Sequence, residues 1–351
     1  MAEDPIKNRD ESLQRLISLL RSIKGTQVTL IGDTMLDRYH HGFANNLNST
    51  APVPVLKILR SEESAGASAH IAIGLASFGM KVSFHTCVGQ DSEGEAVLSS
   101  MKSFNVDTKN IISIPDRKTL TKIRFFGSRE SLLDREQILL QADRGPNEPL
   151  DPNISSILTS NAVASMNDSC ALVISDYDKG AVSEKGAGEL IKKANEMEIP
   201  SIVDPKLTGL DKSKGATVVI FEKRGLSLLT RRNNARNDEE AGKKLLKKYD
   251  WDGILVLGGI DGVYLHHRDG PSIHMPCMAP VARQQIGMHD AAAASLAAAL
   301  GAGLSLHDAA LLASAACECV LTASTSKEYI DSETLSLWLD ELSWQMRISD
   351  R

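Results

Sequence analysis

From Ala171 to Gly262 the chain repeats one pattern: a short apolar run, a polar cluster at its end, then a stretch with helical spacing. The apolar runs are Ala171–Ser175, Pro200–Val203, Thr217–Ile220 and Gly253–Leu257, and Ser183–Met197 and Asp238–Lys248 carry the helical spacing. Short apolar runs without alternation are strands buried on both faces, and strands alternating with helices make a parallel sheet covered on both sides. Three runs end in polar text: Asp176-Tyr177-Asp178-Lys179-Gly180, Asp204-Pro205-Lys206 and Gly258-Gly259-Ile260-Asp261-Gly262. The carboxyl ends of strands are where such sheets hold ligands. Asp204 and Lys206 also read as an ordinary surface ion pair.

The first half fits the same class. Leu13, Leu16, Ile17, Leu20 and Ile23 share one helical face over residues 10–23, and Val28–Ile31 is a strand ending in Gly32-Asp33-Thr34-Met35-Leu36-Asp37. Asp33 and Asp37, just past a strand end, suit sugar hydroxyls or a metal, or simple turn chemistry. Residues 38–60 have no helical period, and Val53, Val55 and Leu56 between prolines fit an edge strand. The small residues Ser64–Ala69 and His70 are expected to open a helix that runs to Phe78 and ends at Gly79. Lys81–Cys87 reads as a strand and Asp91–Phe104 as a helix. Thr121-Lys122-Ile123-Arg124 alternates like a strand with one wet face, and Ile138–Asp143 is another. The 38–60 and 118–143 stretches are expected to pair as a small separate sheet, followed by a Gly- and Pro-containing loop at residues 144–149. A last helix from Ser332 places Leu335, Trp338, Leu339 and Leu342 on one side.

Gln284-Gln285-Ile286-Gly287-Met288-His289-Asp290 leads into an Ala-rich helix. The start of such a helix offers free N–H groups and the positive end of its dipole to an anion. Asp290, in the first turn, is placed to take a proton from a hydroxyl beside that anion, or serves only as a cap. Formal net charge is −6, which disfavours nucleic acid and anionic membranes. There is no apolar run long enough to predict a membrane span, and Met1–Pro5 is unlike a leader peptide. The five cysteines show no metal or disulfide spacing, so a cytoplasmic location is expected and no metal ligands are assigned; His40, His41, His266 and His267 read as ordinary surface or strand residues.

The order of these motifs resembles the ribokinase (PfkB-type) family of carbohydrate kinases, and within it the heptose 7-phosphate kinases. The resemblance covers roughly residues 12–326 and is carried by Gly32–Tyr39, Ala51–Val55, Thr121–Arg124, Ser175–Gly180 and Asp204–Lys206. It implies a doubly wound α/β sheet flanked by helices, with a small β lid that serves as a homodimer contact. It implies transfer of the γ-phosphoryl of ATP, with Mg²⁺, to a hydroxyl of a sugar or sugar phosphate. On it, Asp290 stands where the family has its general base, and the amides of Gly287, Met288 and His289 where the family holds the phosphoryl. Asp33, Asp37, Gly66, His70, Lys122, Arg124 and Asp176 fall at acceptor positions, and Glu222, Leu257, Gly258, Gly262 and Ser314 at nucleotide positions.

The chain departs from that pattern in four places. The family's Gly-Ala-Gly-Asp reads Gly287-Met288-His289-Asp290, which puts two side chains where backbone should approach phosphate, or supplies a His289 donor instead. The Asn-x-x-Glu that orders Mg²⁺ and phosphates reads Glu222-Lys223-Arg224-Gly225. The sugar loop's Asn is His70, and an Arg-Ile-Ser-Pro-Glu segment reads Asn46–Thr50. Losing one anion-hole donor lowers rates by about 10²–10³. The departures together predict weak or absent phosphoryl transfer, in a chain that binds a ligand or a protein partner. The alternative is an active ATP-dependent carbohydrate kinase with Asp290 as base.

Overall fold

The computed structural model describes residues 5–128, 136–283, 285–323 and 329–349. Met1–Asp4, Gln284 and part of the 118–143 stretch therefore lie outside the described residues. Helix α1 (Pro5–Ser22) buries Leu13, Leu16 and Leu20 and leads to β1 (Gln27–Gly32). The chain then leaves the main sheet for a long hairpin, β2 (Thr34–Leu47) and β3 (Pro54–Ala67), and returns through α2 (Ser68–Ser77), β4 (Lys81–Gly89), α3 (Ser92–Ser103) and β5 (Ile111–Ile114). A second excursion, β6 (Thr121–Ser128) and β7 (Gln137–Arg144), precedes α4 (Pro152–Ser165). After it the expected alternation runs β8 (Ala171–Ser175), α5 (Glu184–Glu196), β9 (Ser201–Asp204), β10 (Val218–Glu222), α6 (Lys223–Arg232), α7 (Asp238–Tyr249) and β11 (Gly253–Leu257). The chain closes with β12 (Val263–His267), β13 (Ile273–Met275), α8 (Met288–Gly301), α9 (Leu306–Thr322) and α10 (Ser332–Ser349).

Nine strands form the main sheet in the order β13-β12-β11-β10-β9-β8-β1-β4-β5. All neighbours from β11 to β5 are parallel, and β12 and β13 add an antiparallel edge. Successive strand residues feed opposite faces: Leu172 and Ile174 pack with α4–α7, while Val173 packs with α1, α2, α8, α9 and α10. β1 pairs with β4 on one side and β8 on the other, so the order reverses beside β1. Ligands in doubly wound sheets sit at such a reversal, outside the strands' carboxyl ends.

The two excursions make a separate four-stranded sheet, β3-β2-β6-β7. β2 pairs antiparallel with β3 and parallel with β6, aligning Asp37 with Lys122 and Tyr39 with Arg124. β3 is an edge strand, as its prolines predict. The helix that residues 64–72 lead into begins at Ser68; before it the strand runs on to Ala67, because Met35 and Thr34 pair with Gly66 and Ala67. Gly79, with φ of +81°, follows α2 as expected. The strand–helix alternation also stops at β11, where Gly259 (φ +62°) and Gly262 (φ +87°) turn the chain back as a hairpin. Among the described residues no helix is long and apolar enough to cross a membrane.

Candidate active site

The lid face of the site is set by strand register. Lys122 and Arg124, two residues apart on β6, point to the same side as Asp37 and Tyr39 of β2. Arg124 Nη1 donates to Asp37 Oδ1 at 2.6 Å, and its guanidinium lies 5.4 Å from the Tyr39 ring centroid. Gly66 belongs to this contact: a Cβ there would sit 2.1 Å from Asp37 Oδ2. Gly66→Ala is therefore expected to lower stability by about 1–3 kcal/mol, read as a lower urea midpoint. Adding Asp37→Ala to that variant should recover part of the loss, because the clash is with that side chain. Lys122 approaches the Tyr177 ring at 5.7 Å and Lys206 approaches it at 4.4 Å, so two ammonium groups converge on one ring. Burial holds the Lys122 ammonium below its ordinary pKa, despite the nearby Asp37 carboxylate.

Asp33 is placed differently from Asp37. Its Oδ2 accepts the Tyr177 and Lys179 amides at 2.9 Å each, and its Oδ1 accepts the Ala181 amide at 2.9 Å. Burial raises its pKa in spite of these three donors. Its carbonyl also receives the Ser68 amide and hydroxyl. Asp33 thus ties the end of β1 to the 177–181 loop and to the start of α2, and its carboxylate is engaged by backbone. Asp176 is likewise committed: Lys212 Nζ lies 3.0 Å from both of its oxygens, and the Asp178 amide donates to Oδ1.

Helix α8 begins at Met288 after Gly287, which has φ of +93°. The first helical bond is Ala291 N–H to the Gly287 carbonyl, so the amides of 288–290 precede it. The four positions separate here. Gly287 leaves room for His70, whose Cε1 would lie 3.0 Å from a Cβ at 287. Met288 is 5% exposed and belongs to the apolar core, although it also lines a cleft shared with Glu222, Leu257 and Gly258. Met288 and His289 both line that cleft, Met288 with its side chain in the core and His289 with a quarter of its side chain exposed.

His289 Nδ1 hydrogen-bonds Asp204 Oδ1 at 3.0 Å, and Nε2 lies 3.5 Å from Glu222 Oε1. Burial opposes its charge, but Asp204, and then Glu222, push the imidazole up to about 10, so it is imidazolium at neutral pH. The reading of Asp204 as half of a surface pair with Lys206 is corrected by this contact. Asp290 does not act as a cap: no helix amide reaches it, Oδ1 is buried without a partner among the described residues, and Oδ2 lies 3.4 Å from His70 Nδ1. Burial, only partly offset by His70, raises Asp290 to about 6.

Two clefts meet at His289. One, of about 360 Å³, is lined by Asp176, Tyr177, Asp204, Lys206 and Glu222 among others. The other, of about 200 Å³, is lined by Glu222, Lys223, Arg224, Leu257, Gly258, Gly259, Gln285 and Met288. Glu222, Leu257 and Gly258 thus share a cleft. Gly262 and Ser314 are not on its wall: Gly262 is packed against the Met275 carbonyl, and Ser314 is 3% exposed within α9. Lys212 and Tyr329 were not foreseen. Lys212 lies in a short turn with no motif around it, and Tyr329 follows a stretch without periodic spacing.

The profile of the pfkB family carbohydrate kinase matches residues 26–332. The bifunctional protein HldE of Paramagnetospirillum magneticum is 31% identical over 335 residues, covering 94% of this chain and 67% of its own length. Other HldE proteins are matched over about three-fifths of their length, for example 59% of that from Aeromonas salmonicida. Escherichia coli phosphofructokinase-2, solved with substrates and products, superposes with a TM-score of 0.71 at 17% identity, covering 91% of this chain and 99% of that one. Arabidopsis thaliana ribokinase, solved with ribose and ATP, gives 0.66 at 16% identity, covering 90% and 99%. The fold, the site at the sheet's reversal and the extent of the family match lead to one conclusion: this chain belongs to the pfkB family of carbohydrate kinases.

Proposed function

We propose that the chain is an active ATP-dependent kinase of a sugar phosphate, resembling the heptose 7-phosphate kinases, with Asp290 as general base. The observation that carries this reading is Asp290 itself. A carboxylate that is buried, unused as a cap and raised to about 6, with one oxygen unpartnered among the described residues, is unfavourable for folding and suited to taking a proton. Asp37, held by Arg124, is assigned to acceptor hydroxyls, and Lys122 and Lys206 to the acceptor's phosphate. Asp33 and Asp176 are assigned to holding the loop that carries Tyr177. Glu222, Leu257 and Gly258 form the nucleotide side.

Among the described residues no group of three or more His, Cys, Asp or Glu side chains is placed to hold a metal ion. This suits Mg²⁺ brought in on the nucleotide phosphates with most of its water, where it neutralises phosphate charge. His289 supplies a cationic donor beside the amides at the start of α8, in place of the backbone approach that glycine would allow. On this reading the chain works in the cytoplasm, where nucleotide and sugar phosphate are found.

A second reading, binding without transfer to a ligand or a protein partner, draws support from one contact. Glu222 and Asp204 together hold His289 across the join of the two clefts. Calorimetry with ATP–Mg²⁺ and with heptose 7-phosphate separates the readings, since a kinase must bind both and the blocked form does not bind ATP. The lid is assigned to homodimer contact, because Leu47, Ile58, Leu59, Ile138 and Leu140 are exposed on it. Light scattering is expected to give a dimer, and Leu59→Glu with Leu140→Glu a monomer.

A further inference from the structure

Three side chains from separate elements meet here, the proposed base among them. His70 comes from α2, Asp290 from α8 and Tyr329 from the segment before α10. His70 Nδ1 lies 3.4 Å from Asp290 Oδ2, and the His70 ring packs on Tyr329 with 4.6 Å between centroids. Phe104, at the end of α3, closes the other side of Tyr329 edge-on at 4.7 Å. Each of the three carries a buried polar atom with no partner among the described residues: His70 Nε2, Asp290 Oδ1 and Tyr329 Oη.

A buried group left unpaired costs about 1–3 kcal/mol. A space-filling role at position 329 needs only the ring, and phenylalanine would provide it without burying a hydroxyl. The phenol is held well above its ordinary pKa by burial and by the Asp290 carboxylate, so it stays protonated and able to donate. Asp290 Oδ1 can only accept when ionised, whereas Tyr329 Oη and His70 Nε2 can exchange donor and acceptor roles with a hydroxyl. The set therefore matches two hydroxyls of one polyol, one of them on Asp290.

We propose that Tyr329 is a specificity residue of the acceptor site, where its hydroxyl, alongside His70 Nε2, receives the hydroxyl next to the one facing Asp290. This rests on the reading of Asp290 as the base of a sugar kinase. The ligand class is a sugar or sugar phosphate with vicinal hydroxyls.

The test is calorimetric titration, without nucleotide, of heptose 7-phosphate and its monodeoxy analogues into wild type and Tyr329→Phe. Tyr329→Phe keeps both ring contacts and should melt no lower than wild type. It is expected to bind the parent sugar about three- to tenfold more weakly. One deoxy analogue, weaker than the parent on wild type, is expected to bind both proteins alike, and ATP affinity should not change. Equal binding of the parent by both proteins, or the same loss for every analogue, would overturn the proposal while leaving the kinase reading intact. If no sugar of the series binds wild type, the acceptor-site reading fails and this proposal fails with it.

Discussion

Asp290→Asn is expected to lower phosphoryl transfer by about 10²–10⁴-fold, the usual contribution of a general base, while ATP and acceptor still bind. The same change should stabilise the fold. Burial raises the Asp290 carboxyl from 3.8 to about 6, so this group contributes stability below its unfolded pKa and loses it as pH rises through about 6. At pH 8 the ionised form is held at a penalty of order 1–3 kcal/mol, which asparagine does not carry. Urea unfolding of Asp290→Asn should show a gain at pH 8 that shrinks as pH falls toward 4. A cap would give the opposite result, since losing it destabilises the helix. Lower stability at pH 8 together with unchanged turnover would remove Asp290 from the chemistry.

His289→Gln comes second in expected size. The ring is positioned by Asp204 at 3.0 Å and stands at the join of the two clefts. If it supplies a cationic donor to the phosphoryl, replacing it with a neutral side chain should lower kcat by about 10²-fold, with a small change in acceptor KM. His289→Gly then lowers kcat too, since it removes the cation without restoring the rest of a glycine-rich loop. A rise in kcat for His289→Gly would identify the imidazole as an obstruction and favour the binding-only reading. Steady-state ADP release on both variants, at saturating ATP–Mg²⁺, makes the distinction.

Much of this site could be read in the sequence because it depends on strand ends. Asp33, Asp176, Asp204 and Glu222 each close or follow an apolar run, and a parallel sheet brings those ends to one edge. The start of α8 was also legible, since a single Gly before an Ala-rich run marks it. What each group touches was not. Asp33 and Asp37 look equivalent in Gly32–Tyr39, yet the amides that engage Asp33 arrive from residues 177–181, and the arginine on Asp37 arrives from β6. His289 looked like an intrusion because its partners, Asp204 and Glu222, belong to other strands.

The fold's gaps have similar causes. Helix α9 is buried all round and shows no amphipathic period, although Ser305 caps its start. Helix α4 did carry a readable start, with Asp151 accepting the Asn153 amide and Pro152 in its first turn. Strands β5, β12 and β13 are short, and β12 returns on β11 without the helix that the preceding alternation leads one to expect.

The central claim is that this site transfers a phosphoryl group. The most direct measurement is ADP release by the purified wild-type chain with ATP–Mg²⁺, with and without heptose 7-phosphate, checked by ³¹P spectra of the sugar product. ADP is expected in step with a new sugar phosphomonoester, dependent on the acceptor and lost in Asp290→Asn. Binding of both ligands with no acceptor-dependent ADP, or ADP release unchanged in Asp290→Asn, would contradict it.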